Sequence, residues 1–392
     1  MLNLRKTWSA ALAVAALTAA PGYGNAQESA HEMMIRALGT ADNVSPVVAE
    51  AFEHAALPLT KEQRALALKC WTDSSCETGH GTLTVAYADG FGENVWRRVT
   101  AMEFIEQALT YPDVKKIVYT SARGDASKAI SDMRAYIAQK VDVIVVFADA
   151  GAALLPTAQE AKEAGILVVV HNGTTVGGTP GVDFLSSVAE DICKLGSEFV
   201  RVIADNAKKP TSIVELGGTP GNPLSAAWQA CSDKEIAKHD NVKFLGKADT
   251  NWTQEGTFQA VSGFLSQYGE VGGYVYEYAD GFRGALRAYD AAGKKPDMLV
   301  ALRTDEQGLF CDWEKAKDSN FRIFYSSGQN YQSRIALTAA MMKHAGKDVA
   351  PSIDVPFSMK EVRTGQCNPD LPLETSVSTL IDKEMLKAMF AK

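Results

Sequence analysis

Polar and aromatic residues of this 392-residue chain recur just after short apolar runs. Asp89, Phe91, Asn94 and Trp96 follow TVAYA; Asp149 follows VIVVFA; His171 and Asn172 follow LVVV. In the second half Asn222 and Trp228, then Trp252, Tyr278 with Asp280, Asp305 and Gln329 stand in comparable places. Carboxylates and amides exchange hydrogen bonds with hydroxyls, and indole faces cover C–H surfaces while keeping one N–H donor each. The set suits recognition of a small polar molecule. Covalent chemistry has less to stand on, because no G-x-S-x-G elbow, H-E-x-x-H helix or G-K-[ST] loop is present. A carboxylate pair such as Asp89 and Asp305 is the opening left for glycoside hydrolysis.

Each candidate also has a structural reading. Aspartates after strands cap helices; Asp149 suits that role best, and Asp305 is the leading ligand contact among the four. Trp96 and Trp228 begin helical segments and could fill core, although a cleft position is favoured for both. Trp252 sits between a strand and a helix, which points more firmly to a cleft. His171 reads equally as a core histidine, and Asn222 in GGTPGNP as turn chemistry.

The elements that must position these residues alternate. From Thr82 onward short β-rich runs (Leu83–Tyr87, Lys116–Thr120, Val143–Phe147, Leu167–His171) are separated by helical stretches, and the cycle restarts at Ser212–Leu216. Apolar strands alternating with helices imply parallel sheets covered on both faces. Two such runs predict an α/β protein of two doubly wound parallel-sheet lobes. In open sheets of this kind ligands sit beyond the carboxyl ends of the strands, so the two sets should face each other across a cleft.

In segment order, residues 82–365 resemble the type I periplasmic solute-binding proteins of ABC importers, the ribose-binding-like branch. TVAYADGFGENVWRRV matches that family's first strand and turn, with Asn94 and Trp96 at the Asn and aromatic positions and Val95 in place of Pro. QKVDVIVVFADAGAAL and EAKEAGILVVVHNGT match the next units, but His171-Asn172 replaces the usual Asp-Arg. ELGGTPGNPLSAAWQA resembles the Gly-rich turn and Ser-Ala-Ala-Arg, with Trp228 at the arginine position. ADTNWTQEG puts Trp252 where a ring stacks on sugar, and YADGFRGALRAYDAAGK matches the G-A-L-R-A segment. TDEQG and SSGQNYQ, with Asp305 and Gln329, match the last two ligand loops.

The resemblance implies a multi-strand hinge with crossings near Ser186-Ser187, Ser327-Gly328 and Val355. The lobes would then be residues 81–186 plus 329–354 and residues 187–328 plus 355–392. It implies a monomeric, non-enzymatic receptor without cofactor or metal, capturing a sugar or polyol and closing on it for ABC permease subunits. The departures replace a bidentate arginine clamp with tryptophans and point away from ribose itself. A chemotaxis or signalling receptor, or a secreted sugar-processing enzyme, are the alternatives.

The termini and bulk properties fix the setting. Arg5-Lys6, the apolar stretch Trp8–Ala20, helix breakers at Pro21, Gly22 and Gly24, and small residues to Ala26 lay out a secretory signal over residues 1–26. The apolar run is shorter than the roughly 20 residues that span a bilayer, so a periplasmic protein cleaved near Ala26 is expected. Cleavage moves the formal charge from −8 to −10, which excludes the basic footprint of a nucleic-acid binder. Residues 27–80 form an Ala-rich helical extension; a helix starting near Thr60 is expected to lack a capping box. The six cysteines suit an oxidising compartment. Cys70 and Cys76 read as a local disulfide, with a zinc site as the rival, while Cys193, Cys231, Cys311 and Cys367 allow three pairings.

Overall fold

The computed structural model describes residues 28–92, 94–173, 175–316 and 320–391; the expected signal segment lies outside them. The extension is three helices, α1 (Ala30–Leu38), α2 (Pro46–Ala55) and α3 (Lys61–Asp73), and a short strand β1 (Ser75–Glu77). Each helix has a reason to start where it does. Ser29 and Ser45 cap α1 and α2, and Pro46 occupies the first turn of α2, where its missing N–H costs nothing. The expectation of an unboxed α3 is wrong. Gln63, not Arg64, stands three residues after Thr60, and the two exchange both capping-box bonds.

The first lobe contains β2 (Leu83–Asp89), α4 (Val95–Ala108), β3 (Val114–Ser121), α5 (Ala126–Ala138), β4 (Val143–Phe147), α6 (Leu155–Glu163), β5 (Leu167–His171) and β6 (Ser186–Ala189). The second contains α7 (Ile192–Asn206), β7 (Thr211–Gly217), α8 (Pro223–Ile236), β8 (Val242–Asp249), α9 (Gln254–Tyr268), β9 (Gly273–Tyr276), α10 (Ala279–Ala291), β10 (Leu299–Leu302), α11 (Gln307–Ala316) and β11 (Arg322–Tyr325). The chain then returns through α12 (Gln332–His344) and β12 (Ser352–Asp354), re-enters the second lobe at β13 (Lys360–Glu361) and ends in α13 (Lys383–Met389).

The sheet orders are β1-β3-β2-β4-β5-β6-β12 and β13-β11-β10-β9-β7-β8. The outer strands β1 and β13 pair antiparallel, and the remaining pairs are parallel. The strand order reverses between β2 and β4 in the first lobe and between β7 and β9 in the second. Those crevices are where an open α/β sheet holds a ligand. This is the architecture of two doubly wound, mainly parallel-sheet lobes that the strand–helix alternation predicts.

The first passage between lobes falls at Glu190-Asp191, later than the expected Ser186-Ser187, because Ser186–Ala189 is a strand of the first sheet. The others run through Ser326–Gly328 and Val355–Phe357, where Val355 N–H still bonds Ala189 and Phe357 already packs in the second lobe. The C-terminal end also departs from the expected boundary. Leu380, Ile381, Met385, Leu386 and Met389 join the first lobe's core cluster with α1, α2 and α4, although residues 355–392 were expected in the second.

Cys70–Cys76 is a disulfide, and the open pairings resolve as Cys193–Cys231 between α7 and α8 and Cys311–Cys367 between α11 and the C-terminal segment. The zinc rival is not what the structure holds at Cys70 and Cys76, since the two sulfurs are bonded to each other and neither is a free thiolate. Cys311–Cys367 closes a loop with a sequence separation of 56. In the chain-entropy model that constraint is worth about 4 kcal/mol. The double replacement Cys311→Ser/Cys367→Ser is expected to lower unfolding free energy by up to about that amount, measured by urea titration.

Candidate binding site between the lobes

Both crevices present side chains to the same space. In the first lobe Asp89 ends β2 in register with Phe147 at the end of β4. Asn94 caps α4 by accepting from Arg97 N–H at 2.9 Å, and the first turn of that helix carries Trp96 and Arg97 over the crevice. The Arg97 guanidinium donates to Asp89 Oδ1 and Asp149 Oδ1, each at 2.8 Å, and lies 3.3 Å above the Phe147 ring. Asp149 is therefore an ion-pair partner and not the expected helix cap.

In the second lobe β9 runs into Glu277, a buried carboxylate ringed by donors. Trp228 Nε1 donates to it at 2.7 Å, Trp252 Nε1 at 2.9 Å, and the Ser225 hydroxyl also donates. Trp252 adopts φ +50°, a left-handed backbone that is an outlier for a bulky residue. Its ring lies so close to Gly218 that a Cβ there would meet the indole at 2.1 Å, so only glycine fits beneath it. Arg303, at the end of β10, reaches back to Glu190 and to the Asn172 side chain.

These groups meet around one cavity of about 30 Å³. Asn94, Trp96, Arg97 and Phe147 line it from one lobe, and Leu224, Trp252, Glu277, Tyr278, Arg303 and Thr304 from the other. Phe91 closes its edge, 5.8 Å from Trp252 in a T-shaped contact across the cleft. Trp96 Nε1 donates to the Gly328 carbonyl of the hinge at 2.6 Å.

Of the expected residues, Asn94, Trp96, Trp252 and Tyr278 line the cavity directly, and Asp89, Asp149 and Phe91 stand behind or beside Arg97. The others serve elsewhere. Trp228 is wholly buried, edge-on to Phe199 in the second lobe's core, so its favoured cleft position is not what the structure holds; only its N–H points toward the site, through Glu277. Asn222 caps α8, accepting from Leu224 N–H at 2.9 Å. Asp280 accepts from Gln254 and Arg283. Gln329 bonds Ser327 and Gln332 within the hinge. His171 is buried between Phe147 and Tyr87, and burial, with Arg97 and Arg303 nearby, holds its pKa well below the usual histidine range. Asp305, the leading ligand candidate, accepts instead from Ser378 N–H at 3.1 Å. It does not line the cavity with Asp89, so the carboxylate pair imagined for glycoside hydrolysis does not face one space.

Sequence reading missed Arg97, Phe147, Glu277 and Arg303, and with them the fact that the cleft keeps two guanidinium groups. One signal was available. Arg97 falls in the first turn of a helix, where a cation opposes the helix dipole and needs another reason to be there.

Comparisons with known proteins follow the same geometry. The model of the periplasmic binding protein domain matches residues 88–348. The chain belongs to that family. A search of curated proteins finds no match. Among solved structures, the arabinose ABC transporter's periplasmic binding protein from Shewanella sp. ANA-3, bound to α- and β-L-arabinofuranose, is 23% identical. It covers 71% of this chain and 91% of its own, with a TM-score of 0.63. A Mycobacterium smegmatis protein in complex with β-D-fucofuranose is 24% identical over 71% of this chain and 91% of its own, TM-score 0.61. An ABC transporter periplasmic solute-binding protein from Actinobacillus succinogenes 130z with bound D-allose is 20% identical over 73% and 99%, TM-score 0.61. The match begins inside β2, so the extension lies outside this family's domain. Among the described residues no helix is long and apolar enough to cross a membrane.

Burial at and behind the cleft sets a pH dependence. It lifts Asp89 to about 6 despite Arg97, Asp305 to about 6 and Glu306 to about 8. Carboxyls raised in the folded state hold protons that the unfolded chain releases near pH 4. Their stabilising contribution is present below that value and is lost as pH rises through about 6 to 8. Glu235, lowered to about 2 mainly by the Arg201 hydrogen bond, acts only below the ordinary carboxylate range and does not mask the trend. His171, held neutral by burial, opposes the trend only below about pH 7, so unfolding free energy from urea titrations is expected to fall between about pH 7 and 8.5. Glu306→Gln, which keeps an oxygen for Ala279 N–H and Thr304, is expected to flatten that fall.

Proposed function

We propose that this chain is the exported substrate-binding component of an ABC importer, with its signal segment cleaved near Ala26, and that it captures a sugar or sugar-like molecule between its lobes without chemical turnover. The observation that carries the reading is the single cavity in which Arg97, held by Asp89 and Asp149, faces Trp252, held by Glu277. A guanidinium offers planar paired donors to neighbouring hydroxyls, and an indole face covers the C–H side of a sugar ring. Those two elements, one per lobe, are what a small polyhydroxy compound requires. The ligands bound by the arabinofuranose, fucofuranose and allose receptors belong to the same chemical class.

The present cavity is an order of magnitude smaller than the roughly 300–1,000 Å³ of small-molecule sites. Entry therefore requires the lobes to part, and bound ligand favours the closed form by touching both. Opening must break the interlobe contacts Phe91–Trp252 and Arg303–Asn172. The permease subunits are the partners that read the closed state, and the receptor acts as a monomer.

A thermal-shift panel of pentoses, hexoses in furanose and pyranose forms, and polyols tests the reading. A ligand present at 100 times its Kd should add about 2.7 kcal/mol of stability, with the same molecule recovered unchanged. Failure of every panel member to raise Tm, or recovery of a converted product, would overturn it.

A further inference from the structure

A second cavity, of about 300 Å³, lies on the back of the first lobe, away from the cleft. Its outer wall is the extension: Met33 of α1, and Leu57, Pro58 and Leu59 between α2 and α3. Leu380 of the C-terminal segment closes another side, and Glu106 and Arg334 form part of the lining. All the extension residues precede the family domain, so the site is built by what this chain adds to it.

The charges beneath the cavity do not balance. Glu103 and Glu106, both buried on α4, share the guanidinium of Arg334, itself buried on α12. Glu103 is fully provided for, since it also accepts from the Thr379 hydroxyl at 2.6 Å and Leu380 N–H at 2.8 Å. Glu106 is not. Its Oε2 takes Arg334 Nη2 at 2.5 Å, while its Oε1 is buried without a partner. Among the described residues the rim supplies no spare cation, because Arg64 is held by Asp382 and Arg36 by Glu28. His54 does not serve either: burial lowers its pKa, and its Nδ1 is engaged with Thr110 Oγ1 at 2.7 Å. Two carboxylates therefore face one cation next to an apolar-walled space at the lower end of the size range for small-molecule sites. A buried acceptor left unmatched is costly, and an ionised one more so.

We propose that this cavity is a second binding site, for a small organic ammonium ion whose N–H donors complete Glu106 and whose apolar body lies against Met33, Leu57, Pro58 and Leu380. Burial lifts Glu106 to about 7 against the pull of Arg334, and the neighbouring Glu103 charge adds to the rise. An anionic guest is disfavoured by the same imbalance, and a neutral one leaves it in place.

The test is calorimetric titration of the full mature protein with benzylammonium, and with benzyl alcohol as its uncharged counterpart. One benzylammonium should bind, with benzyl alcohol at least tenfold weaker. Glu106→Gln keeps the shape and removes the charge, and should weaken benzylammonium at least tenfold. Leu57→Trp leaves the charged cluster untouched and, from its half-exposed position at the mouth, should block entry, so loss of binding in that variant does not depend on how Glu106→Gln folds. Absence of benzylammonium binding at millimolar concentration overturns the proposal. So does equal binding of the alcohol, or binding that folded Glu106→Gln and Leu57→Trp both retain.

Discussion

Arg97→Met is expected to lower unfolding free energy by about 3–5 kcal/mol and to abolish ligand capture. Arg97 is almost wholly enclosed, and its two carboxylate partners come from different strand ends, Asp89 from β2 and Asp149 from beyond β4. Burial alone would lower its pKa, but Asp149 and Asp89 outweigh that and keep it charged. Methionine keeps the aliphatic stem but deletes the guanidinium that lies over Phe147, leaving two carboxylates enclosed with no cation between them. Breaking a buried pair from one side is costly because the remaining charge cannot be rehydrated. The cause is checked by a third variant. Adding Asp89→Asn and Asp149→Asn to Arg97→Met should recover a large part of the lost stability in urea titrations, without recovering binding. If the triple variant is no more stable than Arg97→Met, the loss is one of packing and not of charge compensation.

The second large effect is expected from Glu277→Leu. Three donors converge on this carboxylate, the Ser225 hydroxyl and the Trp228 and Trp252 indoles, and burial raises its pKa against them. Leucine matches the carboxylate in bulk but accepts nothing, so each orphaned donor costs about 1–3 kcal/mol. The consequences differ between the two indoles. Trp228 is fixed by the core around Phe199 and will remain in place. Trp252 holds a left-handed backbone that costs on the order of 1–3 kcal/mol, and Glu277 is one of the contacts that keeps it there. Released from it, Trp252 should leave the cleft, and affinity for the cleft ligand should fall by about 100-fold or more, since ring stacking and orientation are lost together. Calorimetry on Glu277→Leu beside Trp252→Ala measures this. The two should be nearly equal in affinity, while Glu277→Leu is the less stable. Full affinity in Glu277→Leu would show that Trp252 does not need the carboxylate.

Fold and site were legible to different depths. The strand–helix alternation, the lobe count and the Cys70–Cys76 bridge rest on local signals: continuous apolar runs and spacing. These survive because a buried parallel strand can be written only in apolar residues, wherever it sits in the sheet. Within the site, Asn94 and Asn222 did what cap chemistry allows, and Trp252 lay in the cleft as its loop position suggested. The error at Thr60 was one of counting, and the capping box was present in the sequence throughout.

What the sequence determined by itself is the set of places where chemistry could occur, the carboxyl ends of the strands, because strand ends and helix starts are set by neighbours a few residues apart. Which side chain at each end faces the ligand was decided by tertiary structure. Arg97 meets Asp149 52 residues away, Trp228 meets Glu277 49 residues away, and Asp305 is taken by Ser378 73 residues away. A buried charge or donor must find a partner wherever the fold brings one. Trp228, inside α8, and Trp252, in the loop after β8, are the same residue type, and both reach one carboxylate. Only the packing of α8 on Phe199, and the space that Gly218 leaves open, made one of them core and the other the wall of the cleft.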